Sequence, residues 1–315
     1  MSLCLPDVSF RRVGIVIPAF NAAAWLETCL RSLLAQTHAR WAAVVVDDGS
    51  TDDADAIVAR LAEPRIALVP QVHAGVSAAR NRGIAALPDC DAVLFLDADD
   101  WLAPDALARL LGQLETFPAA LAAAGPCGFV PEHAQRGARA RRVKRPPAGE
   151  LLAPLLERNL FANGGHLLIR RTAVERAGLF RLDLGLGEDW EYWTRVAALG
   201  PIAAAPGRPV LFVRERANGA YRRQAIDPVA FTPCVKAIFE NPMLAARLGQ
   251  RGVLRMHMRA LAETLWVTGS ELLRLGRPRS GLSAMRHSVA KKPSLKRLGL
   301  LAAAHVRPLI RASGR

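Results

Sequence analysis

Three carboxylates lie within four residues in the segment Asp97-Ala98-Asp99-Asp100. The segment follows the apolar run Ala92 to Leu96, which predicts a strand buried on both faces of a parallel sheet. Clustered carboxylates repel one another, and their desolvation is costly unless a cation lies beside them. Hard divalent cations such as Mg²⁺ and Mn²⁺ are bound by one or two carboxylates together with phosphate oxygens. The spacing therefore predicts a metal site at a strand end, and the alternative is an acidic surface turn.

Four further segments place polar or aromatic groups where strands end or helices begin. They are Pro18-Ala19-Phe20-Asn21, Asp47-Asp48-Gly49-Ser50, the stretch from Gly75 to Gly83 with Arg80 and Asn81, and Gly187-Glu188-Asp189. Ligands of open α/β sheets bind outside the carboxyl ends of the strands. A carboxylate at a helix N-terminus, as predicted for Asp189, is stabilised by the helix dipole and has the chemistry to accept a proton from a hydroxyl.

The elements that position these segments alternate between strands and helices. Short apolar runs predict strands at Val13–Pro18, Trp41–Val46, Ile66–Val69 and Ala92–Leu96, with helical periodicity between them. Such alternation predicts βαβ units and a parallel sheet. After Phe117 the pattern loosens, residues 136–147 suggest a basic loop, and from Asp227 onward the chain is predicted to be helical.

Composition limits the class of protein. The 315 residues accommodate one large α/β domain with an appendage, and no apolar run approaches the ~20 residues that span a bilayer. The five cysteines are scattered without a CxxC pair, which is typical of reduced thiols. Because Met1–Arg12 contains no apolar signal core, we expect a cytoplasmic protein.

The net charge of +14 belongs to the C-terminal third. Residues 1–204 contain 21 Lys and Arg against 23 Asp and Glu, a net charge of −2, whereas residues 205–315 contain 21 against 5, a net charge of +16. This asymmetry indicates an anionic partner. We expect no nucleic acid, because the cations are not interleaved with aromatic residues. The tail from Lys291 to Arg311 mixes cations with apolar residues, which suits either an amphipathic helix on anionic lipid at the inner face of the cell membrane or a packed helix with a solvated cationic face.

The order and spacing of the five motifs closely resemble the inverting glycosyltransferases of family 2, over about residues 10 to 220. The resemblance implies the GT-A fold, which is an α/β fold with a Rossmann-like, mostly parallel sheet flanked by helices. We expect a nucleotide-sugar-binding catalytic domain at residues 1–220 and a basic C-terminal helical region at residues 221–315.

The resemblance also implies roles for residues near the donor. Phe20 stands where the family usually has Tyr, which stacks on the nucleotide base, and Asp48 matches the carboxylate that accepts a hydrogen bond from uracil, favouring UDP. Asp99 is the first candidate for the direct metal ligand, and Asp97 lies nearer the ribose and metal, whereas Asp100 has an alternative role in satisfying backbone groups. The expected donor-binding residues are Pro18, Phe20, Asp48, Arg80 and Asp97.

Other residues are implied for the acceptor side. Asp189 matches the general base, and one base with no opposing nucleophile predicts single displacement and inversion. Glu188, His166, Arg214 and Arg222 are candidates for acceptor or phosphate contacts, although a single His is more often structural. Arg216 lies in the same segment as Arg214.

The sequence therefore predicts a metal-dependent, inverting hexosyltransferase that uses Mn²⁺ or Mg²⁺ and moves a sugar from UDP to a glycan or lipid-linked acceptor. The family's processive members carry a QxxRW motif and membrane spans, which this sequence lacks, so we expect one transfer per encounter. The alternative is a nucleotide-binding or membrane-associated scaffold with the same fold and no catalysis. A nucleotidyltransferase is disfavoured, because residues 13–36 contain one glycine and no lysine.

Overall fold

The computed structural model describes residues 12–216 and 220–312. Residues 1–11, for which the sequence predicts no signal segment, lie outside the described residues. Backbone contacts divide the chain into two compact units. The sheet unit comprises the described residues up to Leu152 together with Leu160–Asp183 and Arg195–Arg216. The helical unit comprises Ala153–Asn159, Leu184–Thr194 and the described residues after Arg216.

The described strands belong to the sheet unit and form two sheets. They are β1 (Val13–Ala19), β2 (Trp41–Asp47), β3 (Ile66–Pro70), β4 (Ala92–Phe95), β5 (Trp101–Leu102), β6 (Ala122–Ala124), β7 (Cys127–Pro131), β8 (Arg142–Lys144), β9 (Leu167–Arg170), β10 (Ile202–Ala204) and β11 (Leu211–Glu215). The main sheet has seven strands in the order β10-β6-β9-β4-β1-β2-β3. Its pairings are parallel except those that β9 makes with β4 and β6. The predicted α/β fold with a mostly parallel sheet is confirmed.

The described residues also form helices, which belong to both units. They are α1 (Ala23–Leu34), α2 (Ala54–Leu61), α3 (Val76–Ala86), α4 (Ala106–Thr116), α5 (Leu152–Glu157), α6 (Arg171–Ala177), α7 (Glu188–Leu199), α8 (Ala220–Gln224), α9 (Thr232–Phe239), α10 (Pro242–Arg274), α11 (Pro278–Lys291) and α12 (Leu295–Ala312). Among the described residues, no helix combines the length and the apolar composition that crossing a bilayer requires.

The alternation of side chains along β1 explains how helices cover both faces of the main sheet. Ile15 and Ile17 are fully buried in a core shared with leucines of α1 and α4. Val16 points to the opposite face, where Gly83 of α3 lies against it. A Cβ on Gly83 would be 2.3 Å from a methyl carbon of Val16, so the glycine allows α3 to approach the sheet.

The second sheet has four strands in the order β5-β11-β7-β8. The prediction of an irregular basic loop at residues 136–147 was wrong for its centre, because Arg142–Lys144 forms an edge strand antiparallel to β7. The Arg142 guanidinium lies 3.7 Å from the ring centroid of Phe129 on β7, and its charge pairs with Glu215 at 3.5 Å. Arg142 thus has partners on β7, which is next to β8, and on β11, which lies beyond β7.

The helical unit contains the predicted C-terminal helices. Gly249 interrupts α10 with a positive φ of 63°. Gly269 on α10 and Gly281 on α11 allow the two helix backbones to approach closely, since a Cβ on either would lie within 3 Å of the other's carbonyl oxygen. Lys292 forms ion pairs with Glu157 of α5 and, at 3.0 Å, with Glu263 of α10.

Candidate functional site

The candidate site lies at the carboxyl edge of the main sheet. The chain passes from β1 to β2 and β3 on one side, whereas β4 pairs with the other side of β1. This reversal is the position at which open α/β sheets bind ligands. The pairing of β1 with β4 ends at Val16. Pro18 has no N–H to donate, and it lies beyond the residues that pair with β4. The segments that follow β1, β2 and β4 therefore meet at this edge.

Asp97 and Asp99 are the partly exposed carboxylates of the turn after β4. Asp97 Oδ1 accepts a hydrogen bond from an Nη atom of Arg80 at 3.2 Å, and Arg80 is almost fully buried. Asp99 Oδ2 accepts one from Arg216 at 3.1 Å, and about a third of the Arg216 side chain is exposed. Both carboxylates thus have a cationic neighbour and some access to solvent.

Asp100 differs from these two because it is buried. One of its oxygens accepts a hydrogen bond from the Asn163 amide at 2.6 Å, and the other accepts one from the backbone N–H of Arg214 at 2.9 Å. Burial raises the pKa of Asp100 well above its ordinary value, and the nearby Asp99 and Asp97 raise it further. Asp100 therefore holds the acidic turn against β11, in agreement with its predicted role in satisfying backbone groups.

Arg214 and Arg216 are two residues apart, and their guanidinium groups are used differently. Arg214 is buried and donates to the carbonyl oxygens of Asp99, at 2.8 Å, and of Glu132 and Ala134. Burial lowers the pKa of Arg214, although the neighbouring carboxylates oppose this effect. Arg216 lies over the Trp25 ring at 3.9 Å and contacts the Asp99 carboxylate. Arg216 therefore contacts the carboxylate of Asp99, whereas Arg214 binds backbone carbonyl oxygens of the turn and of neighbouring segments.

The acidic turn fits a hard divalent cation that takes only one or two of its ligands from the protein. Asp97 and Asp99 offer oxygen ligands, which Mg²⁺ and Mn²⁺ prefer. Within residues 12–216 and 220–312, no group of three or more His, Cys, Asp or Glu side chains gathers as a complete metal cage. A cation here would take one or two ligands from the protein and the remainder from phosphate oxygens or water.

An aromatic and acidic subsite follows β1 and β2. Phe20 is about half exposed, with its ring stacked on His73 at a centroid distance of 4.2 Å. The buried Asp48 carboxylate accepts hydrogen bonds from the Gln71 side chain and from the backbone N–H groups of Ala74 and Gly75. The turn residue Gly49 has a φ of +77°, and a Cβ there would lie 3.0 Å from the His73 backbone nitrogen, so glycine is required where the two loops meet.

Asn81 follows Arg80 on α3, and it has a positioning role in the fold. Its side-chain amide donates to the carbonyl oxygen of Phe180 at 2.9 Å and accepts from the backbone N–H of the same residue at 2.8 Å. The Phe180 ring in turn lies 5.3 Å from the Arg80 guanidinium. This pair of hydrogen bonds fixes the segment that supports Arg80.

Asp189 belongs to the helical unit, in the first turn of α7. Asn159 donates to both of its carboxylate oxygens at 3.3–3.4 Å, and the backbone N–H of Trp190 donates to Oδ1 at 2.6 Å. Gly187, with a φ of +81°, leads into the helix, and a Cβ there would lie 2.8 Å from the Cys234 sulfur. Burial raises the pKa of the Cys234 thiol, and the carboxylate of Asp189 raises it further. The positive φ and the close approach of Cys234 explain why a glycine stands before Glu188 and Asp189, both of which are half-buried.

His166 is fully buried and has a partner on each ring nitrogen. Its Nδ1 donates to the carbonyl oxygen of Gly125 at 2.7 Å, and its Nε2 accepts from the backbone N–H of Ala162 at 3.1 Å. Burial lowers the pKa of His166 to about 4. These contacts give His166 a structural role within the sheet unit. Arg222, the remaining candidate cation, lies in the short helix α8 of the helical unit.

Sequence reasoning did not select several polar residues that contact the candidate site residues, among them His73, Gln71, Asn163 and Asn159. His73 lies two residues before the Gly75 motif, and its position between two predicted site segments was an available signal. Asn163 and Asn159 contact Asp100 and Asp189, but they lie 63 and 30 residues away in sequence. No local pattern marks either asparagine.

Comparison with known proteins agrees with this architecture. Residues 14–178, more than half of the chain, match the family described as Glycosyl transferase family 2. Succinoglycan biosynthesis protein ExoU of Rhizobium meliloti (strain 1021) is 34% identical over 203 residues, which are 60% of this chain and 57% of ExoU. Glycosyltransferase GlyA of Streptococcus pneumoniae serotype 4 is 34% identical over 113 residues, which are 35% of this chain and 16% of GlyA. The match thus covers less than two thirds of either relative's length.

Two solved structures share the fold. S. aureus TarS 1-349 in complex with UDP-GlcNAc has a TM-score of 0.67 and 15% identity, over 90% of this chain and 82% of that chain. The mannosyltransferase PcManGT from Pyrobaculum calidifontis, in complex with GDP-Man and Mn²⁺, has a TM-score of 0.58 and 23% identity, over 96% and 82%. At these identities the likeness concerns the fold alone. Together with the family match, it shows that the chain belongs to glycosyl transferase family 2 and has the GT-A fold.

Proposed function

We propose that the protein is an inverting, metal-dependent and non-processive transferase that moves a sugar from UDP to a hydroxyl of a glycan or lipid-linked precursor. One observation carries the proposal. A half-exposed aromatic ring, a buried carboxylate and two partly exposed carboxylates follow β1, β2 and β4 at one edge of the sheet. This set supplies a stacking surface, a hydrogen-bond acceptor and oxygen ligands, the three kinds of contact that a nucleoside diphosphate and its cation need.

In this proposal Phe20 stacks on the base and Asp48 accepts a hydrogen bond from the imide N–H of uracil. The buried Arg80 adds positive charge near the diphosphate, and its contact with Asp97 orients that carboxylate. The complexes of TarS with UDP-GlcNAc and of PcManGT with GDP-Man support a nucleotide-sugar donor for this fold.

Asp97 and Asp99 would hold Mg²⁺ or Mn²⁺, with Asp99 as the first ligand. When bound, the cation neutralises charge on the departing diphosphate. The partial exposure of Asp99 and the presence of Mn²⁺ in the PcManGT complex support this assignment.

Asp189 is the proposed general base. Its carboxylate takes the proton of the acceptor hydroxyl while the hydroxyl oxygen bonds to the anomeric carbon. The bond from that carbon to the diphosphate oxygen breaks with its electron pair, and attack from the opposite side inverts the configuration. Hydrogen bonds from Asn159 and from the backbone of Trp190 orient the carboxylate, and Glu188 remains a candidate for acceptor contact.

The proposal is tested by turnover and binding in the same variants. A panel of UDP- and GDP-sugars is incubated with and without Mn²⁺, and product configuration is measured by NMR coupling of the anomeric proton. Asp189→Asn is expected to lower turnover by about 10²–10⁴-fold while it retains UDP binding. Asp99→Ala is expected to lose the Mn²⁺ dependence of UDP binding, and Asp55→Asn, an exposed carboxylate of α2, is the control.

Full activity in both Asp189→Asn and Asp99→Ala would refute the proposal. UDP binding without turnover on any donor and acceptor would instead support the alternative of a catalytically silent scaffold.

We further propose that the basic C-terminal region attaches peripherally to anionic lipid at the inner face of the cell membrane. Support comes from the net charge of +16 over residues 205–315 (21 Lys and Arg against 5 Asp and Glu) and from three exposed leucines of α12, Leu295, Leu298 and Leu300. Arg297 is excluded from this surface because it is buried against Glu263 and Ser288.

Cosedimentation tests this attachment. The protein should bind vesicles that contain phosphatidylglycerol more than vesicles of phosphatidylcholine alone, and the double variant Leu295→Glu, Leu298→Glu should bind the anionic vesicles less. Equal binding to both vesicle types would refute the attachment.

A further inference from the structure

His73 occupies two parts of the proposed base subsite at once. Its ring stacks on Phe20 with an interplanar angle of 27° and a centroid distance of 4.2 Å. Its Nδ1 lies 2.9 Å from Asp48 Oδ2 and 3.0 Å from the Asp48 carbonyl oxygen. Both neighbours only accept hydrogen bonds, so Nδ1 carries the proton and donates it. The imidazole therefore presents a flat ring and an N–H donor, the two features that the subsite would recognise in a base.

The hydrogen bonds of Asp48 show why a base cannot simply be added. Oδ1 accepts from Gln71 at 2.7 Å and from Ala74 at 2.8 Å, while Oδ2 accepts from Gly75 at 2.9 Å and has His73 Nδ1 in contact at 2.9 Å. The hydrogen bond of His73 Nδ1 goes to the Asp48 carbonyl oxygen at 3.0 Å. A carboxylate has about four acceptor positions; three of them are filled by these hydrogen bonds, and the His73 nitrogen covers the remaining side of Oδ2. Two of the donors are backbone groups of the loop that leads into α3, and they are held by the fold.

Of the two side-chain donors, His73 is the one that can leave most readily. More than half of its side chain is exposed, and the same movement that frees Asp48 Oδ2 also uncovers the face of Phe20. The two rings are in direct stacking contact, so a base inserted between them would require His73 to move in any case. One rotamer change thus opens both the stacking surface and the acceptor.

We propose that His73 is a resident stand-in for the nucleobase, which the nucleotide must displace in order to bind. This inference rests on the proposed function, since it assumes that Phe20 and Asp48 form the base subsite. The apparent affinity for a nucleotide is then the affinity of the open subsite multiplied by the fraction of molecules in which His73 does not cover it. Because stacking and one hydrogen bond hold the imidazole, His73→Ala should bind UDP about fivefold to tenfold more tightly than the native protein.

The test measures UDP binding by calorimetry in the native protein and three variants. His73→Ala should bind UDP more tightly, and His73→Phe, which keeps a ring but has no N–H for Asp48, should gain less. His38→Ala is the matched control, because His38 lies away from the subsite with a ring nitrogen 3.1 Å from the Arg40 carbonyl oxygen. Inorganic pyrophosphate with Mn²⁺ has no base, and its affinity should not change in His73→Ala.

Two results would overturn the inference. Weaker UDP binding by His73→Ala would make His73 a direct contact of the base, and equal tightening for UDP and pyrophosphate would place its effect outside the base subsite. In both cases the native protein still binds UDP, so the proposed function survives. If UDP binds neither the native protein nor any variant, the proposed base subsite fails, and the inference fails with it.

Discussion

Variants of Arg214 and Arg216 test directly which guanidinium stabilises the fold and which one is placed to contact the proposed ligand. Arg214 lies in β11, and Arg216 follows the last residue of that strand. Arg214 donates three hydrogen bonds to backbone carbonyl oxygens and lies 4.6 Å from the ring centroid of the buried Trp101. Arg216 is about a third exposed, and it pairs with Asp99 at 3.1 Å and, more distantly, with Glu132 at 4.0 Å.

The magnitudes follow from these contacts. Arg214→Met keeps the length of the side chain but leaves three carbonyl groups without their donor, at about 1 kcal/mol each, or about 3 kcal/mol in total. For a sheet unit of this size the melting temperature should fall by about 6–12 °C. Arg216→Met removes a partly exposed ion pair, which contributes about 0–1 kcal/mol. The melting temperature of this variant should therefore stay close to that of the native protein.

Thermal unfolding of the two variants is compared with Mn²⁺ binding, measured by electron paramagnetic resonance without nucleotide. Arg216→Met should bind Mn²⁺ several-fold more tightly, because the competing guanidinium has been removed from Asp99. A native melting temperature in Arg214→Met together with lost UDP binding would refute the reasoning and make Arg214 a direct phosphate contact. Equal destabilisation of both variants would also refute it.

Three further predictions concern positioning residues. His166 has a folded pKa of about 4 against an ordinary value of 6.5, so the unfolded chain binds more protons between these values and stability should fall by about 3 kcal/mol as pH is lowered through them. His166→Gln should flatten this part of a denaturation profile measured from pH 4 to 7, and an unchanged slope would contradict the assignment. Gly83→Ala should cost about 1–3 kcal/mol in urea unfolding through its clash with Val16, and adding Val16→Ala should recover part of the loss; additive losses would argue against a direct clash. Asn81→Asp cannot donate to the Phe180 carbonyl and should lose about 1–3 kcal/mol, whereas native stability would show that this hydrogen bond is dispensable.

The strand ends and the acidic turn were predictable because they depend on local pattern. An apolar run such as Ala92–Phe95 determines a buried strand, and parallel strands bring their carboxyl ends to one edge whatever the remainder of the fold. The division into residues 1–220 and 221–315 and the roles of the site residues stay predictions. The functional class, by contrast, rested on five motifs in order, and the family match confirms it.

What could not be predicted depends on partners far away in sequence. Asp52 lies just before α2, where a capping residue would stand, but its carboxylate accepts from the backbone N–H of Ala23, 29 residues earlier, in the first turn of α1. Asn21 lies just before α1, but its side chain accepts from the backbone N–H of Thr51, and its own backbone is left-handed with a φ of 49°. Capping residues are recognised by spacing along the chain, and a cap supplied by another loop leaves no such spacing. The different contacts of Arg214 and Arg216 also depend on partners far away in sequence. Two residues of the same type, two positions apart, could therefore not be given different roles from the sequence.

The partners of the site carboxylates give a physical criterion for ranking them as ligand-binding groups. An ion pair between exposed groups contributes little, so a ligand displaces it at small cost, whereas a buried partner cannot leave without an unpaired polar group remaining. Asp99 is paired with the partly exposed Arg216, and Asp48 with the exposed His73, so both can exchange a protein partner for a ligand. Asp97 contacts the buried Arg80, which makes its exchange costlier. Asp100 accepts from two buried donors, the Asn163 amide and a backbone N–H, and by this criterion it would stay a structural residue even with the proposed cation bound beside it.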